Sequence, residues 1–78
     1  MQTVEQAVGE VRGQIVLAQE DRFRIETHDG RSLLFVLGPG AGPSLDEVDS
    51  WASSGTTVLV RYRGDPNAGL VAEEVHPE

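Results

Sequence analysis

Two histidines stand beside carboxylates: His28 precedes Asp29, and His76 follows Glu73 and Glu74 within three residues. Imidazole and carboxylate together make a general base or part of a metal site, because both ligate zinc and both move protons near neutral pH. His28-Asp29-Gly30 reads as a hairpin turn, however, and His76-Pro77-Glu78 as a tail. Neither pair has a third ligand at metal-site spacing, so both histidines are read as solvated, with no metal and no cofactor implied. Serines are plentiful, but none has a recognisable base or strained elbow around it, and the chain reads as a non-enzyme with no catalytic residue. Arg63-Gly64-Asp65 matches the cell-adhesion tripeptide and is read as the start of a turn. The glycine-rich residues 38–43 run into a helix start, an arrangement in which free backbone donors and the helix dipole cradle an anion. A phosphate loop also needs a lysine followed by serine or threonine, and Asp46 and Glu47 put negative charge at that spot. The segment is read as a connector.

The 78 residues allow one domain with one small core. There is no cysteine, which excludes a disulfide framework and a thiolate metal site. Nowhere do about eighteen apolar residues occur together, nor does a basic start precede an apolar run, so the chain is read as soluble and cytoplasmic, with no membrane partner. Thirteen acidic residues against six basic ones give a formal charge of -7. That balance repels phosphate polymers and anionic lipid at long range and disfavours nucleic acid as a partner. All six basic residues are arginine; the type suits planar, bidentate recognition of carboxylate or phosphate, although codon bias gives the same composition.

One helix is written clearly, over residues 44–54. Ser44 is a good N-cap and Glu47 stands three residues on, which closes a capping box, while Gly55 can take the left-handed conformation that stops the helix. Leu45, Val48, Trp51 and Ala52 recur at helical spacing as a narrow apolar stripe, with Trp51 expected to cap a barrel end. The remainder reads as strands. Residues 1–8 carry no strong periodicity and are expected to be loose. Residues 9–18 alternate Val11, Gly13, Ile15 and Leu17 inward, and Gly13 on the buried side marks a bulge, a bend or a close backbone approach. After a polar turn at 19–21, residues 22–27 form a second strand and 31–37 a third. A two-residue turn on Asp29-Gly30 would leave Leu33, Phe35 and Leu37 outside. A type I turn with Gly30 as a left-handed bulge instead pairs Thr27 with Arg31, Ile25 with Leu33 and Phe23 with Phe35. Residues 56–63 place Val58, Val60 and Tyr62 inward as a fourth strand, residues 64–69 are dense turn chemistry, and residues 70–75 make a fifth, with 76–78 a tail.

Three strands, a helix and a two-stranded hairpin, together with the glycine in the first strand and the capped helix, resemble the OB-fold. The expected class is all-β with one short helix, a five-stranded OB-fold-like barrel in the order β1-β2-β3-α-β4-β5 filling residues 1–78 as a single domain. The chain is also similar to small bacterial OB-fold proteins of the stress-associated, non-enzymatic type. An SH3-like barrel fits less well, because its short helix precedes the last strand. The resemblance implies a binding face on the second and third strands, flanked by the loops at 19–21 and 64–69. In the chosen register that face carries Arg22, Arg24, Leu34 and Val36, the candidate binding residues. Inward Phe23, Phe35 and Tyr62 leave no stacking platform for bases. The expected function is therefore a binding or assembly module that meets another protein or itself through this face. The alternative is single-stranded nucleic acid or an anionic oligosaccharide.

Overall fold

The computed structural model describes residues 7–65 and 69–78. Five strands, β1 (Ala7–Gln19), β2 (Arg22–Thr27), β3 (Ser32–Leu37), β4 (Thr57–Asp65) and β5 (Gly69–Pro77), close into a barrel in the spatial order β1-β2-β3-β5-β4. One helix, α1 (Leu45–Ser54), lies between β3 and β4. The expected class and element order are those observed. The expected looseness of residues 1–8 falls largely outside the described residues, as does the middle of the turn expected at 64–69; Ala7 and Val8 already belong to β1 and pair with β4, and Gly64, Asp65 and Gly69 belong to the β4–β5 ladder rather than to a turn.

The β2–β3 hairpin has the register that burial of Leu33 and Phe35 demands. Ile25 faces Leu33 and Phe23 faces Phe35, the Thr27 amide donates to the Arg31 carbonyl at 2.9 Å, and Gly30 takes a φ of 86°. The two phenylalanine rings stack at 5.4 Å inside the barrel, and Tyr62 leans on Phe35 at 5.5 Å. Around them Val11, Ile15, Ile25, Val48, Val58, Val60, Leu70, Ala72 and Val75 complete the core.

Barrel closure rests on β1, which is long enough to serve two neighbours. Its first part pairs with β4 and its last part with β2, and Gly13 and Gln14 pair with both. At that crossing a Cβ on Gly13 would stand 2.3 Å from the Glu26 carbonyl oxygen, so only glycine lets the backbones approach.

Three expectations need correction. Leu17 does not point inward. The register shifts between Ile15 and Leu17, a bulge that breaks the alternation and sharpens the strand's bend, so Val16 and Leu17 are 51% and 49% exposed and Ala18 turns toward the core instead. Leu45 is 46% exposed rather than part of the buried stripe. It is the first helical residue, and only Val48, Trp51 and Ala52 reach the core, with α1 packed mainly on β1. Residues 76–78 are no free tail either: His76 pairs with Leu59 and Pro77 with Val58, while the Glu78 amide donates to the Thr57 carbonyl at 2.9 Å. β4 is long enough to hold that extension.

Both ends of α1 match their sequence signals. The Ser44 hydroxyl accepts from the Glu47 amide at 3.2 Å, the Glu47 carboxylate accepts from the Ser44 amide at 3.1 Å, and Gly55 sits at φ 69°. The 38–43 connector is anchored by the Gly38 amide, which donates to the Ala72 carbonyl at 2.9 Å.

Candidate functional site

Successive residues of a strand point to opposite faces, so burying Phe23, Ile25 and Thr27 forces Arg22, Arg24 and Glu26 to the outside of β2. Pairing then sets their neighbours. Arg22 stands opposite Val36 and Arg24 opposite Leu34 on β3, which brings the four candidate residues together on one outer face. Arg22 and Arg24 are exposed, Leu34 is 49% exposed and Val36 is half-buried.

The bulge in β1 adds a residue that alternation hides. Leu17 pairs with Arg24 from the other side, so Arg24 stands between two exposed leucines, Leu17 and Leu34. Val36 in turn pairs with Val71 of β5, extending the apolar strip around the barrel. The sequence signal for Leu17 is the unbroken apolar run Ile15-Val16-Leu17-Ala18: four such residues cannot all fit one face of an alternating strand. A hollow of 450 Å³ lies beside the β1–β2 turn, lined by Leu17, Asp21, Arg22, Arg24 and Leu34 among others. At its rim Glu20 adopts a φ of 56°, a left-handed turn conformation uncommon for a side chain of its type.

Charge pairing divides the barrel surface in two. On the β1–β4–β5 side, Arg61 lies 3.1 Å from Glu74 and 3.7 Å from Glu10, Arg63 lies 3.2 Å from Glu73, and Arg12 pairs with Glu78. Arg31 is held by Asp29 at 3.0 Å within the hairpin turn. Among the described residues, Arg22 and Arg24 have no ion-pair partner within 4.0 Å, so the two arginines left over are those that sit among exposed aliphatic groups.

The histidines play a different part. His28 is exposed in the β2–β3 turn and His76 on the outside of β5. Among the described residues no group of three or more His, Cys, Asp or Glu is placed to hold a metal ion. Asp29 does perturb its surroundings: the Thr27 hydroxyl donates to its carboxylate, and the Arg31 guanidinium adds a second hydrogen bond. Both hold the Asp29 carboxyl below the usual aspartate range. This network ties the turn together. Among the described residues no helix is long and apolar enough to cross a membrane.

Comparison with protein families, with curated proteins and with solved structures finds no match to this chain.

Proposed function

We propose that this chain is a non-enzymatic binding module of the OB type. It makes protein–protein contacts through the outer face of β2 and β3, with Arg22 and Arg24 meeting a partner's carboxylates and Leu17, Leu34 and Val36 its apolar side chains. The OB reading rests on strand order: β1 pairs with β4, β3 runs parallel to β5, and the single helix sits between β3 and β4. The observation that carries the function is the unpaired state of Arg22 and Arg24 beside exposed leucines, on a surface whose other arginines are matched. Guanidinium groups suit planar, bidentate carboxylate recognition, and interfaces concentrate arginine and apolar groups in this way.

The partner segment this face fits presents two acidic side chains and neighbouring apolar ones on the same side. Arg22 and Arg24 stand about 7 Å apart along the strand, the repeat of an extended chain with acids at alternate positions. Selection of random displayed dodecapeptides on the purified protein tests this. The expected outcome is enrichment of acidic–apolar sequences whose binding falls at least tenfold, about 1.4 kcal/mol, in the Arg22→Glu, Arg24→Glu variant. Enrichment of peptides indifferent to that variant would place the working surface elsewhere. Single-stranded nucleic acid or an anionic sugar would use the same two cations, but the buried Phe23 and Phe35 supply no stacking surface to it.

A further inference from the structure

Helix α1 carries an exposed patch with the opposite charge. Leu45 is 46% exposed, and Asp46 and Asp49 are exposed beside it. Leu45 and Asp49 are four residues apart and share one side of the helix, with Asp46 adjacent. Among the described residues neither aspartate has an ion-pair partner within 4.0 Å, whereas Glu47 is engaged in the capping box. Val48, Trp51 and Ala52 hold α1 against the barrel, chiefly on β1, so this patch faces outward from the fold. The chain thus displays a leucine with two unpaired aspartates on its helix, and two unpaired arginines on its β2–β3 face beside Leu34 and the Leu17 of β1.

We infer that the partner of the β2–β3 face is a second copy of this chain, docked through the Leu45, Asp46 and Asp49 side of its helix. The inference rests on the reading of that face as a protein-contact surface and names its occupant. Spacing agrees on both sides: Asp46 and Asp49 are about 5–6 Å apart at Cβ, against about 7 Å for Arg22 and Arg24. Two carboxylates can therefore meet two guanidinium groups while Leu45 packs on the exposed Leu34 beside Arg24. A face-to-face two-fold pairing of the β2–β3 surface is disfavoured, because a two-fold centred on the patch sets Arg24 against the Arg24 of its copy. The contact is instead heterologous, head to tail, and propagates into a ring or an open chain. The net charge of -7 opposes approach, but at physiological salt that repulsion is screened beyond about 8 Å, while pairs in direct contact are screened less. The patch is small, so the association is weak, micromolar or above.

Sedimentation velocity over a concentration series up to about 0.5 mM tests this on the whole chain. Wild type should shift past the dimer as concentration rises. Arg22→Glu with Arg24→Glu should weaken the shift at least about tenfold, as should Asp46→Arg with Asp49→Arg; Leu45→Ser is a milder block that leaves the helix charges in place. Circular dichroism checks that each variant is folded. Neither charge variant should associate alone, yet an equimolar mixture should associate, because each keeps the half-interface the other has lost and the two reversed halves also carry opposite charge. A wild type that stays monomeric, association that ignores these substitutions, or a mixture that fails to associate would overturn the inference. Peptides selected on the Arg22 and Arg24 face then separate the two failures: if they still bind, only the self-assembly falls, and if they do not, the face falls with it.

Discussion

At the scale of single residues, the pairing state of a charged group says more than its type. Arg31 and Arg24 are both exposed arginines of one hairpin, but Arg31 is spent on Asp29 in the turn, while Arg24 lies between leucines with no carboxylate beside it. The Asp29 network has a measurable consequence. Because the Thr27 hydroxyl and Arg31 favour the ionised carboxyl, the folded state binds a proton at Asp29 less readily than the unfolded chain does. Its contribution is complete at pH above the ordinary aspartate value and is lost as pH falls through that value to the depressed one. An Asp29→Asn variant keeps a turn-compatible Asn-Gly pair but cannot ionise. Urea midpoints followed from neutral to acid pH should therefore fall more steeply for wild type than for the variant. The difference should be small, since the group is exposed and solvent screens it. Parallel pH profiles would show that the ionised Asp29 carboxyl contributes nothing to stability.

At the scale of elements, signals carried within a few consecutive residues were legible, and signals set by closure were not. Ser44, Glu47 and Gly55 delimit the helix because capping is local chemistry, and Gly30 sets the hairpin register because turn type is local too. Two of the four candidate site residues, Arg22 and Arg24, follow from the clean alternation of β2. Leu17 did not follow, because the bulge that exposes it answers to a non-local demand: β1 must leave β4 and curl onto β2 within one strand. The extension of β5 through Pro77 was hidden for the same reason, being set by the length of β4. The helix itself was placed correctly, but its contact with the barrel is narrower than its apolar stripe suggests. Trp51 is half-buried on the core and Leu45 is outside. Trp51→Ala should accordingly cost about 2–3 kcal/mol in urea unfolding, below the range of about 3–5 kcal/mol for a fully buried large aromatic. A loss below about 1 kcal/mol would mean that Trp51 covers nothing the fold needs, and would make it a contact residue for a partner instead.

At the scale of the whole molecule, net charge and local charge oppose each other, and magnitudes decide between them for nucleic acid. The chain carries -7 overall, and its β2–β3 face offers two unpaired cations with Glu20, Asp21 and Glu26 close by in sequence and exposed. Two phosphate contacts on a single strand release few counterions, giving a log–log salt slope of about -1.4. Affinity then drops about sevenfold between roughly 50 and 200 mM salt, from a starting value that long-range repulsion already lowers. Base stacking, worth about 1–3 kcal/mol per base where an aromatic platform exists, is missing from this face because Phe23 and Phe35 are spent on each other in the core. A labelled oligo-dT should therefore bind no tighter than about 0.1 mM at low salt and be unmeasurable at moderate salt in a fluorescence anisotropy titration. Micromolar binding that survives moderate salt and disappears in the Arg22→Ala, Arg24→Ala variant would reverse the assignment, since two cations without stacking cannot supply it. The same variant would then separate the two partners: loss of oligo-dT binding with self-association unchanged would assign the face to nucleic acid and leave the helix patch without an arginine partner.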